Sequence, residues 1–348
     1  MRKTTVHILS ITTSVLLSMA GASLAAISCT KTTAPGTEAS PEDAITFSGV
    51  DTKAAVDTPD DISSFSVWGW YSDGTAGTDA VNVFNADKVS KSTDGSWGYD
   101  GLRYWLSGKT YDFYAVYPDA EALNVSCTQE GTLEVKGFDA SFTGSSAVDL
   151  MTARSTDLDG SKPEPVALTF GHLLTRIRFA VKLSSDIPAD YKVNVTSIGF
   201  TAYSRGDMTY AADAADPSWN PDANSFNSFD LTVTNGGLTG AAVIASGGEN
   251  DPETVSPDDY DLLMIPQSMS QNSEVSITYT LENDVPAGDS GYWSMTDTAN
   301  INLKSRPAWE PGESLTYTIM ISNYNVSLQL SVGDWQDGNS GNEHITFE

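Results

Sequence analysis

Gly288-Asp289-Ser290-Gly291 is the tetrapeptide that surrounds the nucleophile in one class of serine protease, so Ser290 is the first residue to weigh for chemistry. Such a serine needs a histidine base and a buried aspartate to orient it. Only three histidines occur in the chain, and His172 sits in Phe-Gly-His-Leu, among apolar residues, as a packed side chain would. The flanks of 288–291 read as a polar loop. Asp157-Leu-Asp159-Gly160 hints at a calcium loop but lacks the further series of oxygen ligands closed by a glutamate, and reads as a solvated turn. No glycine-rich phosphate loop follows a strand. The residues offer no catalytic constellation, and no metal or cofactor is implied.

The chain has 348 residues, enough for two ordinary domains. It carries 46 acidic against 18 basic side chains, a formal charge of −28. Removing residues 1–28 takes away Arg2 and Lys3 and no acid, leaving 16 against 46, or −30. So negative a surface repels nucleic-acid phosphates and excludes nucleic acid as a partner. Apolar residues make up 40% of the chain, which suffices for packed cores.

Met1-Arg2-Lys3 opens a basic segment followed by an apolar run to about Ile27, the layout of a signal peptide over 1–28. Cys29 follows Ala25-Ala26-Ile27-Ser28 and is read as a bacterial lipidation site, with acyl chains anchoring the exported protein to a membrane. Residues 29–43 are polar, with little to bury, and form a tether.

Downstream, period-two alternation recurs. Val275, Ile277, Tyr279 and Leu281 share one face of a strand, and Leu315, Tyr317, Ile319 and Ile321 share another. The latter predicts a hairpin with Val326–Val332 through Asn323-Tyr324-Asn325. Ile177, Phe179, Val181 and Leu183 alternate with Arg176, Arg178 and Lys182, which predicts a half-buried strand with a charged outer face. Tyr111–Tyr117 is apolar on both faces, as a central strand is. Short strands separated by Gly, Asn, Asp and Pro predict an all-β fold of antiparallel β-sandwiches. Polar, proline-bearing residues 155–165 divide it into domains at 44–165 and 166–348, give or take ten residues.

Several segments together resemble the fimbrillin family of type V pilus subunits. They are Ile45-Thr-Phe47-Ser-Gly-Val50-Asp-Thr-Lys53-Ala54; Trp97-Gly-Tyr99 through Tyr104-Trp105 to Tyr111-Asp-Phe113-Tyr114-Ala115-Val-Tyr117-Pro118; Asp149–Ala153 with Leu168–Phe179; and Trp309–Trp335. The resemblance spans roughly 44–338. It implies two tandem transthyretin-like β-sandwich domains in a lipoprotein precursor at the outer membrane and cell surface. It also implies assembly of a fimbria by protease-assisted donor-strand exchange, in which cleavage after a basic residue frees the first strand and a neighbour's C-terminal segment fills the groove. The expected partners are other pilus subunits, joined by β-strand addition, and a processing protease.

On this sequence the leaving strand is 44–53, with Ile45, Phe47 and Val50, and the cut falls between Lys53 and Ala54. Lys31 and Lys53 are the only basic residues between Cys29 and Lys88, and cutting at Lys31 frees tether alone. Lys53 stands where the family's best-known processing proteases prefer Arg, so either a Lys-tolerant protease acts or the subunit keeps its strand and lipid as an anchor. Lys53 can also simply cap an edge strand. The tail 339–348 ends His344-Ile345-Thr346-Phe347-Glu348, repeating the Ile-Thr-Phe of 45–47. Ile345 and Phe347 are therefore donor-strand candidates, or they finish the C-terminal domain's own sheet. A competing reading is a surface glycan-binding lipoprotein that stacks sugars on Trp68, Trp70, Trp97 and Trp105, although the apolar run Phe65–Tyr71 favours a core role for the first two.

Overall fold

The computed structural model describes residues 43–52, 62–73, 80–141, 147–231, 237–239, 253–254, 262–322, 325–334 and 339–347. Strands account for all regular structure among them longer than a turn. The first half contributes β1 (Phe47–Thr52), β2 (Ser64–Ser72), β3 (Val81–Lys91), β4 (Trp97–Tyr99), β5 (Thr110–Tyr117), β6 (Val125–Cys127), β7 (Leu133–Asp139), β8 (Met151–Asp159) and β9 (Val166–His172). Seven of these form one sheet in the order β1-β9-β8-β5-β2-β3-β4.

Strand β5 lies at the centre of that sheet, and its sequence shows why. Tyr111, Phe113 and Ala115 point into one core with Phe65, Phe84 and Phe170, while Tyr114 and Val116 point into another with Trp68 and Trp70. A strand covered on both faces needs apolar residues at every position, and Tyr111–Tyr117 nearly supplies them. Gly69 lets rings close in between β2 and β5. A Cβ there would stand 2.9 Å from the Phe113 ring.

The second half contributes β10 (Thr175–Leu183), β11 (Tyr191–Tyr203), β12 (Arg205–Tyr210), β13 (Ser218–Pro221), β14 (Phe226–Leu231), β15 (Gly237–Thr239), β16 (Glu253–Thr254), β17 (Leu262–Met264), β18 (Glu274–Asn283), β19 (Ser294–Asn302), β20 (Glu313–Ile321), β21 (Val326–Asp334) and β22 (Asn339–Phe347). One sheet runs β16-β10-β20-β21-β22 with β17 also on β10, and a second runs β14-β11-β18-β19 with β15 on β11. Their inner faces share a core in which Phe179 of one sheet meets Phe200 of the other at 5.9 Å. At its centre Trp309 Nε1 donates to the Tyr317 hydroxyl at 2.8 Å, both side chains being fully buried. The Val275–Leu281 alternation faces this core, and β20 and β21 form the expected hairpin, with Ile321 opposite Val326.

Most pairings are antiparallel, but β1 runs parallel to β9 and β10 parallel to β20. The expected charged outer face of β10 is corrected here. Arg176 and Lys182 are 5% and 7% exposed, so the face of β10 that carries them is covered rather than solvated. Arg176 Nε donates to Ser314 Oγ on the adjoining β20.

The halves are not separate. Strand β9, which the division at 165 assigns to the C-terminal domain, hydrogen-bonds to β1 and β8 in the first sheet. A fourth sheet, β13-β12-β7-β6, pairs a hairpin from the second half with strands from the first. Arg154 fastens it, its guanidinium 3.6 Å over the Tyr210 ring and donating to the carbonyls of Tyr210, Ala211 and Ala212. Leu173, Leu174, Met208, Leu263 and Ile265 fill the apolar layer between the halves.

Candidate functional site

Residues 43–52 close a seam in the first sheet. At their start they pair with 103–105: Ala44 bridges Tyr104, Ile45 N–H donates to Arg103 O at 2.8 Å, and Trp105 N–H donates to Asp43 O at 2.9 Å. The chain then changes partner. Thr46 O accepts from Val166 N–H at 2.7 Å, and β1 continues along β9 with Phe47 opposite Val166 and Thr52 opposite Phe170. One extended segment is thus hydrogen-bonded to two pieces of chain far apart in sequence.

Alternation sets what it buries. Ile45 and Phe47 are 1% and 5% exposed, and Thr46 between them faces solvent. The Phe47 ring sits edge-on among Phe65, Phe84, Tyr99 and Phe113, with centroids 5.7–6.1 Å away. Tyr99 donates its hydroxyl to Ile45 O at 2.7 Å, and burial raises its pKa above the ordinary phenol value. Val50 lies in the irregular stretch of β1 between Ser48 and Asp51.

The 103–105 rim is braced without help from this strand. Arg103 stacks on Phe84 at 4.5 Å and Tyr99 at 5.3 Å, donates Nε to Val83 O at 2.7 Å and pairs with Asp87 at 2.6 Å. Nothing in the spacing around Arg103 pointed to this role. It depends on two rings that only the folded sheet brings together. Removal of 43–52 would leave unpaired backbone groups on both rims and an apolar slot where Ile45 and Phe47 had been. Such an edge is a template for another extended segment.

At the other end of the chain, β22 is the last strand of its sheet, with Ile345 opposite Leu330 and Phe347 opposite Leu328 of β21. Both candidate segments are therefore edge strands. Cys29, Lys53 and Ala54 lie outside the described residues.

The four tryptophans proposed as a sugar platform do not form one. Trp68, Trp70 and Trp105 are buried, and half-buried Trp97 packs against Phe65 at 5.2 Å. Both faces of β2 are covered, so its alternating rings have no free side. Ser290 is exposed in the turn between β18 and β19, whereas His172 is buried at the end of β9 with Nδ1 2.7 Å from Asp149 Oδ2. The Asp157–Asp159 segment ends β8 in a turn in which Asp159 accepts from Ser161 N–H and pairs with Lys162. Among the described residues, no three His, Cys, Asp or Glu side chains gather as a metal site.

A family model for fimbrillin-like proteins matches residues 30–335. The chain belongs to the fimbrillin-like family. The fimbrillin-like chain is similar in fold to a fimbrial protein from Bacteroides vulgatus, with a TM-score of 0.61 at 17% identity over 84% of this chain and 99% of that one. Structures described as cell-adhesion proteins are more distant. One from Bacteroides uniformis has a TM-score of 0.46 at 16% identity over 84% and 99% of the two chains, and one from Bacteroides ovatus 0.46 at 14% over 81% and 90%. No curated protein matches the chain.

Proposed function

We propose that this fimbrillin-like protein is a structural and adhesive fimbrial subunit, exported as a lipoprotein precursor through Cys29 to the outer membrane and cell surface. It assembles by donor-strand exchange. A protease cuts between Lys53 and Ala54, the strand bearing Ile45 and Phe47 leaves with its lipid, and the tail of another subunit inserts Ile345 and Phe347 into the vacated slot.

The observation that carries this reading is the double pairing of 43–52. The segment is bonded to both rims of one slot and fills it with two apolar side chains, while the 103–105 rim has bracing of its own through Arg103. A strand held this way leaves as a unit and leaves an acceptor behind. Family membership supports the fimbrial role.

Limited digestion of the exported precursor with a lysine-specific protease tests the reading. The expected result is loss of residues before Ala54 followed by a ladder of oligomers on unboiled gels, with no ladder from Lys53→Ala. Unfolding of the cut chain, or the same ladder from Lys53→Ala, would overturn it.

A further inference from the structure

A groove of about 450 Å³ runs along the junction of the halves, where the β12–β13 hairpin meets residues 266–268 and 308–311. We infer that this groove binds a neutral saccharide, stacking it on Trp219 and Tyr203.

Both rings are half-buried and held still. Trp219 donates Nε1 to Leu173 O at 3.1 Å and meets Phe138 edge-on at 6.0 Å. Tyr203 packs edge-on against Phe226 at 4.9 Å. Beneath them, Gln267 braces the floor through bonds to the protein itself. Its Oε1 accepts from Tyr203 N–H at 2.8 Å, and its Nε2 donates to the carbonyls of Tyr203 and Ile265 at 3.0 Å. Its backbone exchanges two further hydrogen bonds with Trp309. A groove with a fixed floor loses little conformational entropy when it is filled. Aromatic rings with hydroxyls at the rim, here Ser268 and Ser218, the latter donating to Thr209 O and so able only to accept, match a pyranose ring, which has an apolar face and a polar edge.

Charge and backbone narrow the ligand class. Among the described residues Glu310 is the one charged side chain lining the groove, and the whole chain carries −28, so phosphate, sulfate or carboxylate sugars meet repulsion. An extended peptide is disfavoured as well. The strand beside the groove, β13, is an edge strand, but Pro217 precedes it and Pro221 ends it, and neither has a backbone donor. Pro217 and Pro311 also wall a neighbouring hollow of about 260 Å³, lengthening the track beyond one ring. The Arg154 guanidinium there is already bonded to three carbonyls, and so adds no free anion site.

Saturation-transfer NMR on the full exported chain tests this, with neutral hexoses and N-acetylhexosamines, sialylated and sulfated sugars, and a neutral proline-containing peptide as probes. Trp219→Ala would remove the platform but also the Leu173 and Phe138 contacts, so Ala223→Arg with Ser268→Arg, both at exposed positions of the rim, is the deciding variant. The expected result is transfer from a neutral saccharide, weakened about tenfold or more in the double variant at unchanged melting temperature. No transfer from any neutral saccharide, equal transfer in the double variant, or binding confined to charged sugars or the peptide would overturn the assignment.

Discussion

Tyr99, the last residue of β4, donates its phenolic hydrogen to the carbonyl of Ile45 at 2.7 Å, across the seam between the first sheet and the segment that closes it. Replacing Tyr99 by Phe keeps the ring beside Phe47 and removes the donor, leaving a carbonyl of the closing strand with one partner fewer. Loss of a hydrogen bond to a buried group costs about 1–3 kcal/mol. The expected outcome is a lower urea midpoint and faster trimming at Lys53, read together by denaturation and timed proteolysis.

Phe47→Ala probes the slot itself. Deleting a buried Phe side chain costs about 3–5 kcal/mol, and four rings here lose their common neighbour. The precursor should unfold at lower urea. A chain already processed at Lys53 should be indifferent to the change, since it no longer contains residue 47.

The tail gives a cleaner division of outcomes. Deleting 344–348 removes pairing to 328–331 from the edge of one sheet only. The monomer should fold with near-native far-ultraviolet circular dichroism and fail to polymerise after processing. Unfolding of the truncated monomer would instead assign Ile345 and Phe347 to the C-terminal domain's own core.

Burial pushes the Cys127 thiol up to about 12, well above its ordinary value. The unfolded chain therefore releases this proton at about pH 8.5 and the native chain only near its own higher value, so stability falls as pH rises between the two. Urea midpoints of the native sequence should drop more than those of Cys127→Ala between about pH 7 and about pH 10. Equal drops would contradict the burial of the thiol.

The features legible in the sequence were local ones. Alternation at Val275–Leu281 and Leu315–Ile321 reports which face is buried, and the doubly apolar Tyr111–Tyr117 reports a central strand, because in each case one strand's own residues carry the signal. Ile45 and Phe47 announced an inward face in the same way. What stayed hidden depends on partners distant in the chain. Arg176 and Lys182 read as solvent-facing, yet the fold covers the face that carries them. The β7–β12 pairing joins one strand from each half, and neither strand's own residues name its partner. The switch of 43–52 from the 103–105 rim to β9 is set by two rims that no spacing relates.

The most direct test of strand replacement is a photo-reactive benzoyl-phenylalanine at position 347 of the full chain, processed at Lys53 in a mixture of isotope-labelled and unlabelled molecules. Strand replacement should give adducts between different molecules, on peptides containing Phe84, Tyr99 or Phe113. Adducts confined to β21 of the same molecule, around Leu328, would contradict it.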